Sequence, residues 1–130
     1  MVRSHPDRQF FIMDVAVPIS AYPELIAYVE EITAERNIIA YLIGHAGDGN
    51  IHVEFPYTPG ESYEKAMSAN HDIVMKALQL GGTATGEHGV GIGKAKYMPI
   101  EHGDALDVMR AIKQSLDPKG ILNPGKIFPQ

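Results

Sequence analysis

Two short stretches of this 130-residue chain bring histidines and carboxylates together at spacings that suit chemistry. The first is Gly44-His45-Ala46-Gly47-Asp48-Gly49-Asn50-Ile51-His52. Asp-Gly between two apolar runs signals a tight hairpin, because both central residues of such a turn need positive φ. With the turn centred on Asp48-Gly49, counting outward pairs Gly47 with Asn50, Ala46 with Ile51 and His45 with His52. Directly opposed residues share a face of the sheet, with Cβ atoms about 4.5–5.5 Å apart. Two imidazoles held that way can chelate one metal ion, whereas two protonated ones repel. The pair therefore implies a shared ion or a shared proton. Two unrelated histidines at strand ends are the plainer reading, and a longer loop would shift the register.

The second stretch is Gly82-Thr83-Ala84-Thr85-Gly86-Glu87-His88-Gly89-Val90-Gly91. A carboxylate beside an imidazole, flanked by glycines, can supply a third ligand and an acid–base group. Taken alone, Glu87-His88 could equally be an incidental pair on a solvated loop. Nucleotide readings of the glycines fail on spacing. Gly89, Gly91 and Gly93 do not make the dinucleotide pattern, and no strand–turn–helix surrounds them. Gly93-Lys94 has His88 where a phosphate loop needs glycine, and Ala95 replaces its Ser or Thr. His5, His71 and His102 read as solvated or locally bonded. Glu54 shares a strand face with His52, two places on, and reads as a surface strand residue.

These residues need elements to hold them. Phe11, Met13, Val15 and Val17 alternate with Ile12, Asp14 and Ala16, a strand that Pro18 ends. Ser20 can cap a helix whose apolar positions run from Tyr22 through Leu25, Ile26 and Val29 to Ile32, with Asn37 closing it. Ile38 to Ile43 reads as a buried second strand and Ile51 to Tyr57 as a third. Thr58-Pro59-Gly60-Glu61 has the form of a capping box before a second amphipathic helix, which Gly81-Gly82 stops. A third helix is expected from about Gly103 to Leu116, its core face Ala105, Leu106, Met109, Ile112 and Leu116. Asp117-Pro118-Lys119-Gly120 and Asn123-Pro124-Gly125 then break the tail. The expected class is α+β, a small antiparallel sheet with helices packed on one face.

Composition excludes several classes. Hydrophobic residues make up 45% and charged residues 21%, ordinary for one domain with a single core. There is no cysteine, which removes disulfides, thiolate metal sites and cysteine nucleophiles. The net charge of −5 and the lack of a basic run argue against nucleic acid as a partner. No apolar stretch approaches the ~20 residues of a transmembrane segment. Residues 1–9 read as a polar tail unlike a secretory signal, and 10–130 as the domain, whose abrupt opening suits a piece of a longer protein and a naturally short chain with a short tail equally. A cytoplasmic place, or one peripheral to a membrane, is expected.

Four ordered motifs carry a resemblance. They are Asp14-Val15-Ala16-Val17-Pro18, the His45–His52 stretch, Gly86-Glu87-His88-Gly89-Val90-Gly91, and the run from Leu116-Asp117-Pro118 to Asn123-Pro124-Gly125-Lys126. In this order they resemble the C-terminal part of FAD-linked oxidases of the vanillyl-alcohol oxidase type. Within that group they are similar to the branch of the glycolate oxidase flavin subunit, D-lactate dehydrogenase and D-2-hydroxyglutarate dehydrogenase. The resemblance covers nearly all of residues 10–128. It implies the ferredoxin-like half of a cap domain, with His45, His52 and Glu87 as metal ligands and His88 as the group that meets substrate and moves a proton. It places Asn50 in the turn lining the cofactor site, and Asn123 and Lys126 in a terminal motif that returns toward FAD. It further implies a divalent metal, zinc before manganese or iron, and a small 2-hydroxy-acid substrate whose hydride passes to flavin N5.

The family's FAD-binding domain and its carboxylate-gripping basic residue lie outside these 130 residues. Little flavin binding and no turnover are therefore expected of the chain alone. An open sheet edge would favour a homodimer or docking with an FAD-binding domain or subunit. A stand-alone metal-binding subunit that joins a separate flavin domain is the alternative. A zinc hydrolase would also suit two histidines and a glutamate, but would leave the Asn123-Pro124-Gly125 motif unused.

Overall fold

The computed structural model describes residues 5–128; Met1–Ser4 of the expected tail and the last two residues of the expected domain lie outside these. The chain divides into two compact units, Met1–Glu87 and His88–Gln130. The first is built from β1 (Gln9–Ala16), α1 (Tyr22–Glu35), β2 (Tyr41–His45), β3 (Asn50–Tyr57) and α2 (Glu61–Gln79). Its sheet is antiparallel with strand order β1-β3-β2. The α+β class with a small antiparallel sheet is thus what the chain adopts.

Period-2 alternation divides the two sheet faces. Met13 and Val15 of β1 stand beside Val53 and Ile51 of β3, and Phe11 beside Phe55. Apart from Phe11 these side chains are fully buried. They meet α2, which packs on β1 and β3, with α1 packed on α2. Leu25, Val29, Ile73, Val74 and Ala77 are the buried stripe of the two helices. The opposite face carries Asp14, His45, Asn50, His52 and Glu54, flanked by the half-exposed Ile12 and Ile43.

Both helices of this unit end in the same hydrogen-bonded motif. Asn37 takes positive φ, its N–H bonds Ala34 O at 3.0 Å, and the Ile38 N–H bonds Thr33 O at 3.0 Å. That is a Schellman closure with asparagine in the left-handed position. Gly81 repeats it after α2, with Gly82 N–H on Ala77 O at 2.9 Å. The first closure explains one correction. Ile38 is used to cap α1, so the second strand begins only at Tyr41 rather than at Ile38. It is also an edge strand, half-exposed rather than buried.

The expected N-caps differ as well. Ser20 lies in a 3-10 turn, Ile19–Ala21, and α1 starts with Pro23 in its first turn and no side-chain cap. The Thr58 box does not form: α2 begins at Glu61 behind Gly60, whose φ of 100° places Thr58 and Pro59 outside the helix.

The second unit holds a 3-10 turn, Ala95–Tyr97, then α3 (Met98–His102) and α4 (Ala105–Leu116). Gly103, with φ of 50°, separates two helices instead of starting one. The expected core face of α4 is also corrected. Leu106 is buried, but Ile112 and Leu116 are 57% and 77% exposed, and Val108 on the same stripe is 63% exposed. The amphipathic spacing is real, but most of that face is exposed among the described residues. Asp117 ends the helix by accepting from Lys113 Nζ at 2.6 Å and from the amides of Leu122 and Ile121 at 2.9 and 3.0 Å. The Lys113 ammonium, aided by those amides, holds this carboxyl below the usual range against desolvation. Among the described residues no helix is long and apolar enough to cross a membrane.

Candidate metal centre

The site is built from the β2–β3 turn and the loop that leaves α2. The turn is longer than Asp-Gly alone suggests. His45 pairs with Asn50, Gly44 with Ile51 and Ile43 with His52, leaving residues 46–49 as the loop. Ala46–Asp48 form a 3-10 turn and Gly49 alone takes positive φ, 70°. A two-residue turn would need Asp48 at positive φ as well, and Asp48 stays out of that region. The expected pairing of His45 with His52 is therefore corrected to a diagonal one. The displacement is two residues, an even number, so both imidazoles keep the same face. Their ring centroids lie 6.2 Å apart, edge to face at 85°.

Glu87 reaches that face through backbone pairing. Thr83 bonds Ala16 in both directions, at 2.8 and 3.4 Å, which lays the glycine loop along the end of β1. Glu87 Oε1 then comes to 3.0 Å from His52 Nε2. One ligand atom from each of His45, His52 and Glu87 lies within 4.8 Å of the others. Zinc with bonds of about 2.0–2.1 Å sets its ligands roughly 3.3 Å apart, so these donors could hold such an ion by closing in on it. Three protein ligands, two of them exposed, also leave a coordination position open toward solvent.

Asp14 joins the site although it is not among the residues expected there. It is 3% exposed and stands directly opposite His52 on β1. Its Oδ1 accepts from Asn50 Nδ2 at 2.6 Å, and its Oδ2 accepts from the Glu87 N–H at 2.8 Å. His52 Nδ1 lies 3.8 Å from Oδ1. The available signal was a lone carboxylate in the middle of an otherwise apolar strand. Asn50, expected in the cofactor-lining turn, is 6% exposed and turned inward, donating also to Val15 O at 3.2 Å. Gly86 must be glycine here, because a Cβ would overlap Asn50 Nδ2 and Asp14 Oδ1.

The remaining expected site residues belong to the second unit. His88 opens it and is exposed, joined to Glu87 by one peptide bond. Asn123 and Lys126 are exposed in the tail after α4, Asn123 with φ of 47°. Within that unit the tail returns to the glycine loop through Ile127 N–H on Gly91 O, 2.8 Å.

Residues 2–127 match the family described as FAD linked oxidases, C-terminal domain. The D-lactate dehydrogenase (cytochrome), mitochondrial, of Arabidopsis thaliana is 43% identical over 127 residues, covering 95% of this chain and 22% of that protein. The corresponding Saccharomyces cerevisiae enzyme, numbered 1, is 45% identical over 116 residues, 88% of this chain and 20% of the relative. The glycolate oxidase subunit GlcD of Bacillus subtilis is 40% identical over 118 residues, 88% of this chain and 25% of the relative. The chain thus spans about a fifth to a quarter of the length of these relatives.

Proposed function

The chain belongs to the family of C-terminal domains of FAD-linked oxidases, and from that membership we propose that it supplies the metal and substrate site of a 2-hydroxy-acid dehydrogenase. The observation that carries this reading is the convergence of His45, His52 and Glu87 on one sheet face. Neutral imidazoles and one carboxylate suit zinc, and manganese or iron accept the same donors. A divalent ion, when bound, would grip the substrate's hydroxyl and carboxylate and make the hydroxyl more acidic. FAD, which the family implies, would accept the hydride from Cα.

The chain's own residues then have separate tasks. His45, His52 and Glu87 would hold the ion and leave its open position to the substrate. His88 receives the hydroxyl proton, its backbone about 3.8 Å along the chain from that of Glu87. Asn123 and Lys126 would contribute to holding the flavin. The names of the relatives make glycolate and D-lactate the acids to try first. The flavin would be held mainly by an FAD-binding domain, in the same polypeptide or a separate one. The outer edges of β1 and β2, each paired with β3 on one side, are where such a domain or a second copy would add.

Cobalt(II) titrated into the 130-residue chain provides the test, because its visible absorption reports coordination. D-lactate or glycolate should change that spectrum. Propionate and acetate, which lack the hydroxyl, should bind about tenfold or more weakly, as expected for a lost polar contact to a charged centre. A cobalt spectrum indifferent to every 2-hydroxy acid would count against the substrate reading.

A further inference from the structure

We propose that Asp14 is the positioning residue of the metal centre, joining the two segments that supply its ligands. The inference rests on the metal reading above and goes beyond it. His45 and His52 come from one hairpin, while Glu87 comes from a loop dozens of residues later. Something must fix that loop against the sheet, and the side-chain contacts converge on Asp14. Its Oδ2 holds the backbone of Glu87 itself, at 2.8 Å. Its Oδ1 holds Asn50, the strand partner of His45, at 2.6 Å. The same carboxylate lies opposite His52, 3.8 Å from Nδ1, while Nε2 of that ring faces Glu87 at 3.0 Å.

Burial makes the arrangement selective. A carboxylate that is 3% exposed needs donors, and here they are groups attached to the ligand-bearing segments. Gly86 completes the contact, since its lack of a side chain lets the loop lie directly on the Asp14–Asn50 pair. The Asp14 carboxylate lies on the far side of the His52 ring, 3.8 Å from Nδ1, while Nε2 is turned toward Glu87. Carboxylates on that side of a metal-binding histidine help to orient its ring.

The test separates positioning from general stability. Zinc affinity is measured by competition with a chromophoric chelator, alongside thermal unfolding and amide exchange of the metal-free chain. In the unaltered chain the Glu87 amide should exchange slowly although its side chain is exposed. Asp14→Asn should bind zinc about 10–100-fold more weakly and lose that protection. Gly86→Ala should weaken zinc by at least about tenfold while every ligand and charge stays in place. Val74→Ala, a core truncation in α2, should lower the unfolding temperature yet leave zinc affinity within about threefold. A fast-exchanging Glu87 amide, or Asp14→Asn with affinity within threefold of the unaltered chain, overturns the proposal. If the unaltered chain itself bound no zinc, the metal reading would fall and this inference with it.

Discussion

Replacing His52 by alanine is expected to weaken metal binding by more than about 100-fold while leaving the fold intact. The lower bound follows from supporting residues, whose loss alone typically weakens a site 10–100-fold. His52 would be a direct ligand, with its Nε2 3.0 Å from Glu87 Oε1. Without it, His45 and Glu87 would face each other across an empty position, and two donors hold a divalent ion poorly. The fold should survive because His52 projects from the sheet face opposite the helices. The core of β3 on the other face, Ile51, Val53 and Phe55, is untouched. The stability change should stay within about 1 kcal/mol, the range of substitutions away from the core. His71→Ala, on the exposed side of α2, is the matched control and should bind metal like the parent. Chelator competition reads both, and a His52 variant within tenfold of the parent would remove this residue from the site.

Gly49→Ala should be the most destabilising change in the hairpin, by about 2–5 kcal/mol. Two independent terms add. An alanine at φ of 70° pays about 1–2 kcal/mol for the left-handed region. Its Cβ would also overlap the Val17 carbonyl, and such overpacking adds about 1–3 kcal/mol. The approach is unavoidable because the Val17 N–H bonds Gly49 O at 3.0 Å, pinning the loop to the end of β1. A domain of ordinary stability has about 5–15 kcal/mol in all, so the unfolding midpoint should fall by roughly 10 °C or more. Gly47 lies two residues away in the same loop with open space around it, and Gly47→Ala should be nearly neutral. Calorimetry on the pair decides the matter. A Gly49 variant melting within 3 °C of the parent would contradict the account of this turn.

The sequence exposed the site more clearly than it exposed the loop that builds it. His45 and His52 are legible as a pair because strand faces repeat every two residues, so even a displaced register keeps them together. The register itself is hidden, because Asp48-Gly49 is a local signal and the contact that decides the loop comes from Val17. Asp14 was visible as a charge in an apolar strand but had no partner until β1 was seen beside β3. The late start of β2 depends on Ile38 capping α1, which the β-branched run there does not announce. For α4 the amphipathic spacing is legible, yet spacing cannot tell a face that is covered from one that is open. Leu116 belongs to the second kind.

The central claim is that two imidazoles and one carboxylate of this chain hold one divalent ion. X-ray absorption at the zinc edge of the loaded, desalted chain tests it most directly. The account predicts one zinc per chain, with two imidazole shells at about 2.0–2.1 Å and oxygen ligands at similar distance. Loss of one imidazole shell in the His52 variant should follow. A chain that retains no zinc after desalting, or a coordination sphere without imidazole, would contradict it.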